Sequence, residues 1–199
     1  TDGNIFLAEQ TGNTGLGILD GAGMVSILTP GNVTDVRTDA EKAAGTPNIT
    51  AENAIIISED GYIGTEDAPI VVLIDNHMTA SAESDVNVST TENLSITADS
   101  QTGKLNIAGD KNLTVDNTVS SAGGTGDMST GNIVAGGNVS VNAKGDMQAA
   151  DDSSLVSGDN IALNAGGSIG TAEQPLRLDT AAGDTGTDSR KTNREGNVT

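Results

Sequence analysis

The sequence predicts an all-β chain, a parallel β-helix or β-solenoid of short strands, and three observations carry that prediction. First, one phrase is written twice. Gly61-Tyr62-Ile63-Gly64-Thr65-Glu66-Asp67-Ala68-Pro69-Ile70-Val71-Val72-Leu73-Ile74-Asp75 reappears as Gly167-Ser168-Ile169-Gly170-Thr171-Ala172-Glu173-Gln174-Pro175-Leu176-Arg177-Leu178-Asp179, 106 residues later. Second, short apolar alternations recur along the chain, each closed by Gly, Asn, Asp or Ser. Third, the 199 residues hold one Phe, one Tyr and no Trp. A core without rings must be built from Val, Ile, Leu and Ala, which suits the thin interior of a solenoid better than a broad globular core. Strands with interchangeable sequences need equivalent environments, and stacked coils supply them where a Greek key does not.

Taken in order, the predicted strands are residues 4–8, 24–28, 54–57, 70–74, 86–88, 94–96, 105–107, 113–115, 139–141, 161–163 and 176–178. In most of them Val, Ile or Leu alternates with Ser, Thr, Asn or another small residue, the period of a strand with one face buried. Inward β-branched residues stack on their equivalents at ~4.8 Å, outward Ser and Thr keep the faces soluble, and Gly and Asn turn the corners. No window shows a sustained helical stripe with caps, so no helix is predicted. A second match aligns Gly23-Met24-Val25-Ser26-Ile27 with Gly137-Asn138-Val139-Ser140-Val141, 114 residues on. The excess of eight over the first offset is assigned to a surface insertion at residues 37–47, which carry no strand pattern. A third match, Glu195-Gly196-Asn197-Val198-Thr199 with Asp2-Gly3-Asn4-Ile5-Phe6, reads as the restart of a further unit. The organisation expected is one solenoid over 1–199, with units at roughly 3–75 and 76–179, a connector at 180–195 carrying Arg190, Lys191 and Arg194, and a new unit from 196. Roughly 20 residues per coil gives about nine or ten coils and a rod about 45 Å long. Both ends would present open β edges, as in a piece of a longer array.

Charge and composition exclude several function classes. The net charge is −19, from 28 acidic and nine basic residues. A phosphate-binding face needs clustered Lys and Arg, so nucleic acid is not an expected partner, and anionic membrane surfaces are disfavoured for the same reason. No stretch is long and apolar enough for a transmembrane helix, and no membrane insertion is expected. Cys is absent, which removes disulfides, thiol catalysis and Cys-based metal sites.

No motif supplies a catalytic constellation, and no catalytic, cofactor-binding or metal-ligating residue is assigned. His77 is the only histidine, so neither a His-based metal cluster nor a Ser-His-Asp set can be argued. The adjacent acids Glu66-Asp67 and Asp151-Asp152 are the candidates for Ca²⁺ ligation through oxygen, set against the plainer reading of solvated turn carboxylates. Gly123-Gly124-Thr125-Gly126-Asp127 resembles a Gly-rich calcium repeat but has its Asp one position early and never recurs. Asn-x-Ser/Thr occurs at Asn32, Asn48, Asn87, Asn93, Asn112, Asn138 and Asn197. It reads as glycosylation acceptors or, more simply, as the solenoid's strand-entry grammar of corner Asn, inward aliphatic and outward hydroxyl. A sugar-cleaving β-helix would need clustered Asp with Arg or Lys on one face, yet Arg37 and Lys42 are the only basic residues before Lys104.

The wording Gly137-Asn138-Val139-Ser140-Val141-Asn142-Ala143, Asn160-Ile161-Ala162-Leu163-Asn164-Ala165-Gly166-Gly167-Ser168-Ile169-Gly170-Thr171 and Pro175-Leu176-Arg177-Leu178-Asp179 resembles the repeat regions of large bacterial surface proteins of the filamentous-haemagglutinin and autotransporter adhesin type. The resemblance spans most of residues 3–179. It implies a right-handed parallel β-helix, secreted or displayed at a bacterial surface, acting as a rigid stalk or adhesion surface. The partners it implies are a cell-surface protein or glycan and the neighbouring repeats of the same chain, and it brings no catalytic residues. The alternatives are a polysaccharide lyase or hydrolase β-helix and a calcium-stiffened repeat module.

Overall fold

A computed structural model describes residues 3–117 and 127–180. The strands, in chain order, are β1 (Ile5–Ala8), β2 (Thr14–Leu16), β3 (Leu19–Asp20), β4 (Met24–Thr29), β5 (Val33–Asp35), β6 (Ile49–Ser58), β7 (Ile70–Ala82), β8 (Val86–Thr90), β9 (Leu94–Ser100), β10 (Leu105–Gly109), β11 (Leu113–Asn117), β12 (Met128–Ala135), β13 (Val139–Ala143), β14 (Met147–Ala149), β15 (Leu155–Gly158), β16 (Ile161–Ala165) and β17 (Arg177–Thr180). Each pairing between them is parallel. The strands stack as three faces of a β-solenoid. Face one runs β1, β4, the second half of β6, the second half of β7, β9, β11, β13, β16. Face two passes through β2, β5, Ile63, Val86, Leu105, Met128, Met147 and Ile169. Face three runs β3, the first halves of β6 and β7, then parts of β8, β10 and β12, then β15 and β17.

The core is a set of columns read straight off this register. Ile5, Val25, Ala54, Met78, Ile96, Val115, Val141 and Leu163 stand one above another on face one. All are buried except the two end members, which have a neighbour on one side only. Ile70, Val88, Ile107, Ile133, Val156 and Leu178 form the matching column of face three. Small and β-branched side chains fill a layer only ~4.8 Å deep without strain, which is why rings are missing.

Two kinds of hydrogen bond close the corners. At the corner leaving face one, Thr29, Ser58, Ala82 and Ser100 occupy one column. The hydroxyls of Thr29, Ser58 and Ser100 donate back to the Gly12, Gly31 and Ser84 carbonyls of the preceding coil at 3.0, 2.8 and 2.7 Å. At corners entering each of the three faces, an Asn or Asp side-chain oxygen of one coil accepts a backbone N–H of the next. Asn4 caps Met24, Asn13 caps Asn32, Asn32 caps Tyr62 and Asp85 caps Lys104. Asn106 caps Asn132, Asn112 caps Asn138, Asp127 caps Asp146 and Asp146 caps Ser168. In every one of these joints the capped residue follows a glycine. A Cβ built on Gly137 would lie 2.6 Å from Asn112 Oδ1, and one on Gly61 would lie 2.5 Å from Asn32 Oδ1, so the glycine makes room for the cap.

The stack has eight coils, fewer than the nine or ten expected. Successive coils are longer than 20 residues where a corner carries an insertion. Val25 and Ala54, one coil apart, are separated by 29 residues, against 18 from Met78 to Ile96. Eight layers at ~4.8 Å give seven steps, about 34 Å. The long coil contains the predicted insertion, but it holds a helix, α1 (Asp39–Ala43), where the sequence pattern predicts none. The signal for it is a capping box. The Thr38 hydroxyl accepts from Glu41 N–H, and the Glu41 carboxylate accepts from Thr38 N–H at 2.6 Å. Five residues are too few to show the apolar stripe by which helices are recognised.

Both copies of the repeated phrase form the same turn. Gly64 and Gly170 have φ of 62° and 67°. Thr65 N–H donates to the Ala68 carbonyl and Thr171 N–H to the Gln174 carbonyl, both at 3.0 Å. The copies sit in the third and eighth coils, so 106 residues span five coils. The 114-residue match also spans five coils, but the register puts Val25 in the column of Val141 rather than Val139. In the third and fourth coils, β6 and β7 run from face three into face one as long strands, without a Gly-Asn corner. The later corners therefore restart two residues out of phase with the columns. The boundary drawn near residue 75 falls inside β7, and the stack crosses it without a break. The connector at 180–195 beyond Thr180, and the restart at 196–199, lie outside the described residues.

The joint makes a coupled prediction. Gly137→Ala is expected to cost about 1–3 kcal/mol through the clash with Asn112 Oδ1. Asn112→Ala is expected to cost about 1 kcal/mol through the lost cap. In the Asn112→Ala background Gly137→Ala should cost much less, because the clashing atom is gone. Urea unfolding of the four variants measures this, and independent additive costs would refute the joint.

Candidate functional site

The ionisable residues that the sequence singles out gather at two corners. At the first, the insertion folds over Asp35, whose side chain is 2% exposed. Arg37 meets it with a forked contact, Nε to Oδ1 and Nη2 to Oδ2 both at 2.9 Å. The other end of the Arg37 guanidinium donates to the Thr46 carbonyl, and Lys42 Nζ stands 3.4 Å from Asp35 Oδ2. Asn48, fully buried, donates through Nδ2 to Asp35 Oδ1 at 2.8 Å and to the Leu16 and Gly17 carbonyls, while its Oδ1 accepts from Val71 N–H. Burial alone would push the Asp35 carboxyl up. The donors from Arg37 and Asn48 outweigh it and hold the group far below its ordinary value. This is a satisfied structural ion pair that fixes the insertion to the coil, with its donor and acceptor capacity spent internally.

At the second corner one member of each acidic pair considered for calcium meets the same lysine. Lys104 Nζ contacts Glu66 and lies 3.5 Å from Asp151 Oδ2. Glu66 and Asp151 are far apart in sequence, and the turns that carry them project from the same edge of the solenoid. Hydrogen bonds from the Ser153 hydroxyl and N–H, reinforced by Lys104, pull the Asp151 carboxyl down to about 2. Glu66 raises the Lys104 ammonium above its ordinary value. The charge between the two carboxylates is thus supplied by the protein itself. Among the described residues no group of three or more His, Cys, Asp or Glu is placed to hold a metal. Of the Gly-rich segment, Gly123 to Gly126 lie outside the described residues, and Asp127 serves as a cap for Asp146.

His77 stands on the outward side of face one with Nδ1 3.0 Å from Ser95 Oγ and Nε2 3.0 Å from Thr97 Oγ1, both on the next coil. No carboxylate joins that set. Of the Asn-x-Ser/Thr positions, Asn48 and Asn87 are buried with their amide nitrogens donated to backbone carbonyls. Asn32, Asn93, Asn112 and Asn138 all accept hydrogen bonds from the next coil, and Asn197 lies outside the described residues. In the described residues the pattern works as corner grammar.

A shallow groove of about 430 Å³ runs along face one over the last three coils, lined by Asn112, Leu113, Thr114, Asn138, Val139, Ser140, Asn160, Ile161 and Ala162. Its lining has amides, hydroxyls and aliphatic surface but no ionisable group. It can offer hydrogen bonds to a ligand and has no acid or base with which to cleave one. The basic side chains of Arg37, Lys42, Lys104 and Lys111 each face a carboxylate, and none of the four lines this groove. No helix among the described residues is long and apolar enough to cross a membrane. No family model, no curated protein and no solved structure matches the chain.

Two outcomes follow from these corners. Arg37→Met, which leaves the Asp35 carboxylate buried without its partner, is expected to destabilise by about 3–5 kcal/mol at neutral pH. Because the folded pKa of Asp35 is depressed, its contribution is present above the ordinary value of 3.8 and is lost as pH falls below it. The wild-type Tm should therefore drop on acidification more steeply than that of the Asp35→Asn, Arg37→Met double variant, measured by circular dichroism. At the other corner, millimolar Ca²⁺ or chelator is expected to leave Tm unchanged. A Ca²⁺-dependent rise would mean that Glu66 and Asp151 take the metal in preference to Lys104.

Proposed function

We propose that this chain is a structural and adhesive segment of a secreted or cell-surface bacterial protein: a stiff rod whose outer faces meet a surface protein or glycan. The observation that carries the reading is the joint between coils. Caps of the same kind and the same columns recur from the first coil to the eighth, and the repeated turn recurs at five coils' distance. Such regularity supports a spacer that holds its length, since each layer restrains the next.

Further support comes from what the faces offer. Outward positions on face one present Ser95, Thr114 and Ser140, beside the Asn112 to Asn160 row. That is a surface for many weak polar contacts. The acidic excess keeps such a rod soluble and self-repelling. The reading as an enzyme is the weaker one, because a lyase or hydrolase needs acids and cations facing a common groove, and the groove of face one has neither.

Beads coated with the purified chain should be retained by bacterial or host cells, or by immobilised glycan, and lose that retention when the chain is unfolded by heat. Release of reducing ends or unsaturated products from acidic polysaccharide by the purified chain would overturn the reading.

A further inference from the structure

The outward side of face one changes character along the rod. Over the first three coils its outward positions carry Phe6, Ala8, Met24, Leu28, Ile55 and Ile57, with Ser26 and Asn53 among them. At the equivalent places of the next two coils stand Thr79, Ser81, Thr97 and Asp99, all polar. Phe6 is 69% exposed and Leu28 40%, and none of the six apolar residues belongs to the core. Ala8, Leu28 and Ile57 stand one above another, with Phe6 next to Ala8 and Ile55 next to Ile57 along their strands. Behind them the inward residues Val25, Ile27, Ala54 and Ile56 are buried, so here one parallel sheet is apolar on both sides. Parallel sheets of that composition are ordinarily covered on both, and contiguous exposed apolar surface marks a contact site. Met24, Leu28, Ile55 and Ile57 lie on β4 and β6, which have a paired strand on either side. A further coil stacked on β1 would lie next to the patch and leave it open.

Acids frame the patch. Glu9, Glu59 and Asp60 follow its strands at the corner leaving face one, and Glu52 sits at the bulge by which β6 enters it. All four are exposed. The ion pairs of the described residues use Asp35, Glu66, Glu92 and Asp151, so none of the four framing acids faces a cation among them. We propose that this patch docks a cationic amphipathic helix of a partner protein, its apolar stripe on Leu28 and Ile57 and its Lys or Arg side chains against the flanking acids. Three strands at ~4.8 Å, with three outward positions each, span roughly 10 by 13 Å between Cβ atoms, the width of one helix and two to three of its turns. A second copy of the chain fits worse. Identical patches would set acids against acids, and the area is far below the ~800 Å² per partner of a stable dimer. Anionic lipid meets the same repulsion. The inference narrows the reading of the outer faces as contact surfaces to one patch and one partner chemistry, and it rests on that reading.

The probe is a synthetic Leu-Lys peptide of about 18 residues, long enough to form a helix, with Leu along one face and a single Trp in that stripe. The chain has no Trp, so the indole reports alone. Saturable one-to-one binding is expected, with a blue shift of the indole as it leaves water and weaker binding as salt rises. Phe6→Ser, Leu28→Thr and Ile57→Thr leave the charge unchanged and alter outward positions, so Tm should hold in all three. Each should weaken binding about tenfold, the loss of one buried aliphatic or aromatic contact. A peptide of the same residues in scrambled order, with no apolar stripe, should bind at least about tenfold more weakly. Equal binding of the two peptides, or of the wild type and the three variants, would mean attraction to net charge alone and would overturn the proposal. So would phosphatidylcholine vesicles that compete with the peptide, or a dimer of the chain that Ile57→Thr dissolves. If the peptide fails to bind while cells still retain the coated beads, this inference falls and the adhesive reading stands. If neither binds, both fall.

Discussion

The parallel stacking of one coil on the next is the constraint on which everything else depends. A coil has no core of its own, because its inward residues make a single layer. Each layer becomes buried only when the layers above and below are in register, and register is held by ladder hydrogen bonds and by the corner caps. The cap is a short-range device with a long-range effect. An Asn or Asp oxygen reaches one coil forward and takes a backbone N–H there, and at most of these corners a glycine before that N–H makes room for it. Once that pairing is set, the strand that follows cannot slip by one residue without turning its aliphatic side chains outward.

The charged residues serve this stacking. Asp35, Arg37 and Asn48 tie the only described helix to the first three coils, and Lys104 draws together turns that lie on different coils. Both are sites where the chain departs from its simplest repeat, by an insertion in one case and by projecting turns in the other. In each, ionic groups neutralise one another and stay close to the scaffold. Over the last three coils of face one, the polar side chains that line the groove are hydroxyls and amides. This division of labour is what supports a rod with adhesive faces over a cleft with a reaction centre.

Much of this was legible in the residues, for physical reasons that can be named. The Val25, Val115, Val141 and Leu163 strands show in the sequence because an aliphatic residue at every second position is what a strand with one buried face requires. The turn at Gly64 and its copy at Gly170 show because a left-handed glycine, a Thr and a Pro in fixed order leave little freedom. The shortest strands of face two escaped. Thr14-Gly15-Leu16 and Met147-Gln148-Ala149 are three residues long, too short for a period to emerge, and they are strands because neighbouring coils supply the ladder. The helix at Asp39–Ala43 escaped for the same reason of length, although its Thr38 and Glu41 capping box was in view.

By itself, then, the sequence determined that this protein is a stack of short β layers with acidic, ring-poor surfaces, because alternation, turn residues and internal repetition are local properties of the chain. The tertiary structure alone decided the number of coils, the two-residue phase difference between distant repeats, and the meeting of Glu66, Asp151 and Lys104. It also decided that the recurrent asparagines accept hydrogen bonds from the next coil. These depend on how many residues each corner consumes, and that is fixed only when one coil closes onto another.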